Sequence, residues 1–211
     1  MPRTDGRGGA CLAGSGRSHQ YPTNAEPRKY ALDRSRPLNI LSRLFGHRQD
    51  RQPLVPLYEA IVAEGRNPAW YRDGAVPDTT DSRFDMIVSV LSLVLIRLER
   101  EGEAARADSV RLTELFIDDM DGQLRQLGIG DIVVGKHVGK MMGALGGRLG
   151  AFRDALAGVG DLREAVRRNI FRGEEAAEQP VAFVAGRLMR LHERLGGTAL
   201  EPLRSGAFPS E

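Results

Sequence analysis

From residue 54 onward apolar side chains recur every three or four positions, the period of helices that bury one face. PLVPLYEAIVAEGR predicts a first core helix that stops near Gly65 and Pro68. The following NPAWYRDGAVPDTTDS predicts a linker, because Pro68, Asp73-Gly74 and Pro77-Asp78 are turn formers. Ser82, with Asp85 three residues on, reads as the start of the next helix through a Ser-x-x-Asp variant of the capping box. That helix runs to about Glu101. Its middle, MIVSVLSLVLI (Met86 to Ile96), is apolar almost all round, so it belongs at the centre of a bundle.

A second long helix is predicted from about Ala104 to Leu127, ended by Gly128, with Leu112, Leu115, Phe116, Met120, Leu124 and Leu127 as its stripe. A third runs from about Val134 to Leu156 behind Val138, Met141, Met142, Leu145, Leu149, Phe152 and Leu156. Asp161 to Phe171 and Val181 to Leu195 complete the set, the last ended by Gly196-Gly197. Alternating strands and internal repeats are absent. The expected class is all-α: a compact multi-helix bundle over residues 51–200, with 201–211 as a tail.

Residues 1–50 break this period. The first 35 or so are rich in Gly, Arg, Ser and Pro and are expected to be disordered. RPLNILSRLFGHRQDR then places Leu38, Leu41, Leu44 and Phe45 on one side of a short basic amphipathic helix near 37–47. Two readings stand for it, a helix capping the fold and a surface anchor for anionic lipid.

Composition narrows the function classes. Among 211 residues, 30 basic and 28 acidic side chains leave a net charge of +2, with no concentrated basic face of the kind that DNA or RNA requires. The only lysines are Lys29, Lys136 and Lys140, an arginine bias that points to a GC-rich bacterial genome. The single cysteine, Cys11, excludes a disulfide framework and suits a reducing compartment. Met86–Ile96 falls short of the roughly 20 residues a bilayer span needs, and no secretory leader is recognisable. A cytoplasmic protein is expected.

GDIVVGKH (Gly130 to His137) imitates a phosphate-cradling loop, G-x-x-x-x-G-K. Such a loop needs a buried strand before it and a Ser or Thr after the lysine to hold magnesium. Here a predicted helix precedes it and His137 follows. The stretch is better read as a helix–loop–helix joint: Gly128 ends one helix, Asp131 caps the next, and Ile129, Ile132 and Val133 plug the turn. DDMDG (Asp118 to Gly122) fails as a calcium loop, since aligning Gly122 puts Ile117 and Gly128 at the anchoring ligand positions. His19, His47, His137 and His192 form no pair at metal-ligand spacing. No catalytic, metal or cofactor constellation is found.

The third helix carries a different signal. Gly135, Gly139, Gly143 and Gly147 recur every four residues, with Gly146 and Gly150 beside them, along one flank of the Met141/Leu145/Leu149 face. Each costs a helix about 0.5–1 kcal/mol against alanine. Either a neighbouring helix packs closely there, or the flank is the smooth wall of a groove for a partner's apolar helix, steered by Lys136, Lys140 and Arg148.

The blocks NPAWYRDGAVPDTTDSRFDM and LFIDDMDGQLRQLGIGDIVVGKHVGKM, within a resemblance spanning about residues 55–157, are similar to the ubiquinol–cytochrome c chaperone family. The resemblance implies an all-helical, non-catalytic assembly factor of the respiratory cytochrome bc complex, without a cofactor. Its implied client is cytochrome b or another hydrophobic membrane protein, with a small assembly partner, the ribosome or peripheral contact at the inner face of the cytoplasmic membrane as further candidates. Gly135-Lys136 is then a family feature. Ser89 stands where the family's histidine is expected, and Gly139 and Gly143 where larger or basic residues are usual.

Together these readings nominate Tyr71, Pro77, Asp78, Arg83, Asp85, Asp119, Asp121, Arg125, Asp131, Gly135, Lys136, Lys140, Met141 and Leu145 as partner-binding candidates. The two blocks are expected to lie close together and to fix the ends of the central helices by ion pairs and caps. The alternative is a helical scaffold or cofactor binder that uses Asp119, Asp121, Arg125 and Lys136 as a polar cluster.

Overall fold

Every position from Asp85 to Leu98 is buried, which only an element surrounded on all sides can achieve. The computed structural model that shows this describes residues 52–126, 131–173 and 176–208, all within the unit Ile40–Glu211. The N-terminal tail with its amphipathic segment near 37–47, and the joint at 127–130, lie outside them.

Among the described residues the order is a 3-10 turn Gln52–Leu54 and then helices α1 (Val55–Gly65), α2 (Pro68–Arg72), α3 (Thr80–Glu99), α4 (Glu103–Gln126), α5 (Asp131–Leu156), α6 (Leu162–Asn169), α7 (Glu178–Gly197) and α8 (Leu200–Arg204). α3 is the axis. α1, α4, α5 and α7 pack around it, and α6 bridges α5 and α7. The class is all-α, as the periodicity requires.

Local chemistry explains the boundaries. Asn67 caps α2 by accepting from the Ala69 amide at 3.1 Å, and Pro68 supplies a preset first helical turn. The expected linker therefore contains a short helix. Its Trp70 is fully buried, donates to the Glu64 carbonyl at 2.8 Å, and lies 4.6 Å below the Arg187 guanidinium. Thr79, not Ser82, caps α3, accepting from the Ser82 amide at 3.1 Å. The capping box is thus displaced by three residues, and Asp85 is left to a tertiary partner. Inside α3, Ser89 and Ser92 each donate to the carbonyl four residues back, at 2.7 Å, so two hydroxyls enter the core already satisfied.

α4 buries Leu112, Phe116, Met120 and Leu124, one residue per turn. α5 opens at Asp131 itself, and the side chains of residues 131–134 are outside the described set. Residues 201–208 are not a free tail: α8 buries Leu203, and Arg204 bonds Asp108 through Nε at 2.8 Å. A short helix with one apolar anchor leaves no periodic trace in sequence.

Candidate partner-binding site

The first turns of α3, the last turns of α4 and the first half of α5 enclose a cleft of about 1040 Å³. Its apolar lining comes from Phe84 and Ile87 of α3, Met120 and Leu124 of α4, and Met141 and Ala144 of α5. Phe84 continues into the core, its ring 6.1 Å from that of Phe116. The charged lining is mostly cationic: Arg66, Arg83, Lys140, Arg148, Arg168 and Arg172, against the carboxylates Asp81 and Asp85.

Those two carboxylates are already engaged. Asp85, 2% exposed, bonds the Arg148 guanidinium of α5 and accepts from Arg172 Nε at 2.8 Å. Arg172 also reaches Asp81 at 3.0 Å, and Arg148 donates to the Asn169 carbonyl at 2.8 Å. One buried aspartate thereby ties α3 to α5 and to the chain just after α6. Arg172 sits at φ 56°, a left-handed conformation that side chains rarely adopt and that these bonds hold. Burial pushes the Asp85 carboxyl up despite the attraction of Arg148 and Arg172, and burial pulls Arg148 down. Desolvation outweighs pairing here, as is usual for a buried ion pair.

Arg66 and Lys140 differ from the other cations of the lining. Both are exposed, and neither forms an ion pair among the described residues. Arg66 lies at the end of α1 and also borders two smaller hollows. One, about 480 Å³, includes Tyr71, Asp78 and Arg83. Arg83 bonds Asp78 at 2.6 Å and holds its carboxyl below the usual range, while Tyr71 donates to the Gly65 carbonyl at 2.8 Å. The other, about 610 Å³ between α1 and α4, contains Tyr58, Leu115, Asp118 and Asp119. There Tyr58 donates to Asp119 at 2.7 Å, and burial together with that carboxylate pushes its phenol up.

The sequence candidates therefore divide. Arg83, Asp85, Lys140 and Met141 share the large cleft. Tyr71 and Asp78 line the hollow beside it, and Asp119 the groove behind α4. Pro77 is exposed on the turn before α3, and Leu145 is buried beneath α5. Asp121 pairs with Arg125 at 2.7 Å within α4. Both blocks contribute walls to one cleft, as expected, but Arg83 and Arg125 bond carboxylates of their own blocks. The proposed polar cluster does not assemble: Asp119 is taken by Tyr58 and Gln123, Asp121 by Arg125, and Lys136 stands exposed on α5. Among the described residues no group of three His, Cys, Asp or Glu could hold a metal.

The glycine flank of α5 is a correction. Among the described residues a Cβ added at Gly135, Gly139, Gly143, Gly146, Gly147 or Gly150 meets nothing within 4 Å, so close packing on another described helix is not its purpose. None of these glycines lines the cleft, and most lie across the helical wheel from His137 and Met141. Close approach occurs instead at Gly65, where a Cβ would stand 2.8 Å from the Ile87 Cα, and at Gly74, 2.6 Å from the Trp70 carbonyl. Sequence reasoning missed Phe84, Met120, Leu124 and Arg172 as cleft residues. Their apolar or charged character was visible, but which neighbour leaves them uncovered was not.

The described helices form a bundle with an apolar, cation-lined cleft. This chain belongs to the ubiquinol–cytochrome c chaperone family, whose model matches residues 72–209. The match starts later than the expected residue 55 and continues through α6, α7 and α8, past the expected end at 157. A crystal structure of the Cbp3 homolog from Brucella abortus is similar at 30% identity, over 79% of this chain and 94% of that one, with a TM-score of 0.64. No curated protein matches. A role as a chaperone in ubiquinol–cytochrome c reductase assembly follows from the family. Among the described residues no helix is long and apolar enough to cross a membrane.

Proposed function

We propose that this protein holds cytochrome b, or a closely related hydrophobic membrane-protein client, during assembly of the cytochrome bc complex, and does so without catalysis. The observation that carries the reading is the cleft over the start of α3, where Met120 and Met141 lie among other apolar side chains beneath a cationic edge. Methionine adapts its shape to varied apolar partners, and a groove between two helices above a third suits a client helix. Arg83, Asp85, Lys140 and Met141 are its contact or supporting residues, with Tyr71, Asp78 and Asp119 at the adjoining hollows.

The reading places the protein in the cytoplasm, in reversible contact with the inner face of the membrane where the client emerges. Leu38, Ile40, Leu41, Leu44 and Phe45, flanked by Arg34, Arg36, Arg43, Arg48 and Arg51, would supply that contact, at about 1 kcal/mol for each basic residue near an anionic surface. Sedimentation with anionic liposomes at low salt, lost on removal of residues 1–50, checks this part. A small assembly partner and the ribosome are the other partners to seek.

A photocrosslinker at position 141, with gene deletion in parallel, tests the main claim. Capture of cytochrome b and loss of bc-complex content on deletion are expected. Unchanged cytochrome b and normal quinol oxidation in the deletion strain would refute it.

A further inference from the structure

We propose that the segment seated in the cleft is an apolar helix carrying carboxylates along one edge, and that Arg66 and Lys140 read those carboxylates. This rests on the reading above that the cleft holds a client segment, and adds the chemistry by which the segment is chosen.

Asp81 and Asp85 are both bonded by Arg172, and Asp85 by Arg148 as well. Arg83 has Asp78, and Arg168 has Glu164 at 3.4 Å. Arg66, at the end of α1, and Lys140, on α5, are left without an ion pair among the described residues. Two uncompensated cations beside an apolar floor favour an occupant with apolar body and acidic edge, since complementary charge steers encounter and sets register.

Other occupants fit worse. The chain's own apolar segment, Leu38 to Phe45, brings Arg36, Arg43, Arg48 and Arg51 to a cationic cleft. A second copy offers little to insert: the large hydrophobic side chains exposed among the described residues are Val110 on α4 and Val159 in the loop after α5. A bilayer surface is too flat to reach Met120 and Met141 within a concave site. The length also suits a helix. His137 to Arg148 along α5 spans about 16 Å at the helical rise, which accommodates roughly ten residues of a partner helix.

The test uses the full chain and two fluorescent sixteen-residue Leu/Ala helices, one with two Glu on one edge and one with Gln at those positions. Anisotropy is expected to show the Glu peptide binding about tenfold more tightly, the scale of two partly exposed charge pairs. The double variant Arg66→Gln/Lys140→Gln should erase the difference, so that both peptides bind alike, while thermal unfolding, both positions being exposed, stays unchanged. Met141→Trp, which fills the cleft, should weaken both peptides. Equal binding of both peptides by the native protein overturns the charge reading and leaves the apolar cleft as client site. Failure of both peptides to bind overturns the proposal, and anionic vesicles binding through Arg66 and Lys140 while the peptides do not would assign these cations to lipid. The wider function is judged separately, by cytochrome b capture at position 141.

Discussion

Arg172 Nε donates to Asp85 Oδ2 at 2.8 Å across 87 residues of chain, and the same carboxylate meets Arg148 from the other side. The three side chains form the floor fitting of the cleft, joining α3, α5 and the chain after α6. Replacing Asp85 with Ala strands the buried Arg148 and is expected to cost about 3–5 kcal/mol in urea unfolding. The double variant Asp85→Leu/Arg148→Met should recover most of that loss, because the expense lies in an unpaired buried charge. A double variant as unstable as Asp85→Ala would show that the geometry of the pair, not its charge, holds the helices.

Glycine substitutions should divide by location. Gly143→Ala and Gly147→Ala, with open space at the Cβ, are expected to raise stability by about 0.5–1 kcal/mol each. Gly65→Ala, facing the Ile87 backbone, should lower it by about 1–3 kcal/mol. Melting temperatures of the three variants decide the matter. A destabilising Gly143→Ala would mean that something covers this flank in solution.

Trp70 is the single tryptophan and is fully buried under Arg187, so its emission reports on the α2–α7 contact. Arg187→Gln removes the cation over the ring and weakens the link to Glu64, which lies 3.2 Å from the guanidinium. Loss of the cation–π contact alone should cost about 0.5–2 kcal/mol. A red-shifted emission in the native state is expected with it. Unaltered emission and stability would leave Arg187 a bystander.

His192 on α7 gives stability a pH dependence. Burial, and then Arg100, pull its imidazole below the ordinary value, Glu193 opposing, and its Nδ1 is buried without a hydrogen-bond partner among the described residues. The unfolded chain takes up a proton near pH 6.5 that the folded chain resists, so this contribution is whole above about pH 6.5 and fades as pH falls through the lower folded value. Unfolding free energy should therefore decline from pH 7 to pH 5. His192→Gln should flatten that slope, and an unchanged slope would assign it to other groups.

Much of the fold was legible because helical periodicity is a local property. The apolar run Met86–Ile96 could be nothing but central, and the stripes of α4 and α5 followed from residues one turn apart. The family blocks likewise carry their resemblance in the sequence itself. The boundary at Thr79 was not legible in the same way: Ser82 and Asp85 have capping-box spacing, and only the buried guanidinium of Arg148, sixty-three residues on, withdraws Asp85 from that role. Spacing alone could not tell whether the α5 glycines were covered, because coverage depends on where neighbouring helices stop. The cleft belongs wholly to tertiary structure. Its residues come from α1, α3, α4, α5 and the end of α6, and each becomes a wall only because packing on α3 brings distant turns together and leaves the space above its first turns unfilled. Sequence by itself determined the long helices, their buried faces and the family, but not the short helices α2 and α8. Long-range packing, which follows from how several amphipathic faces are satisfied at once, decided which cations of the cleft were consumed by ion pairs and left Arg66 and Lys140 facing out.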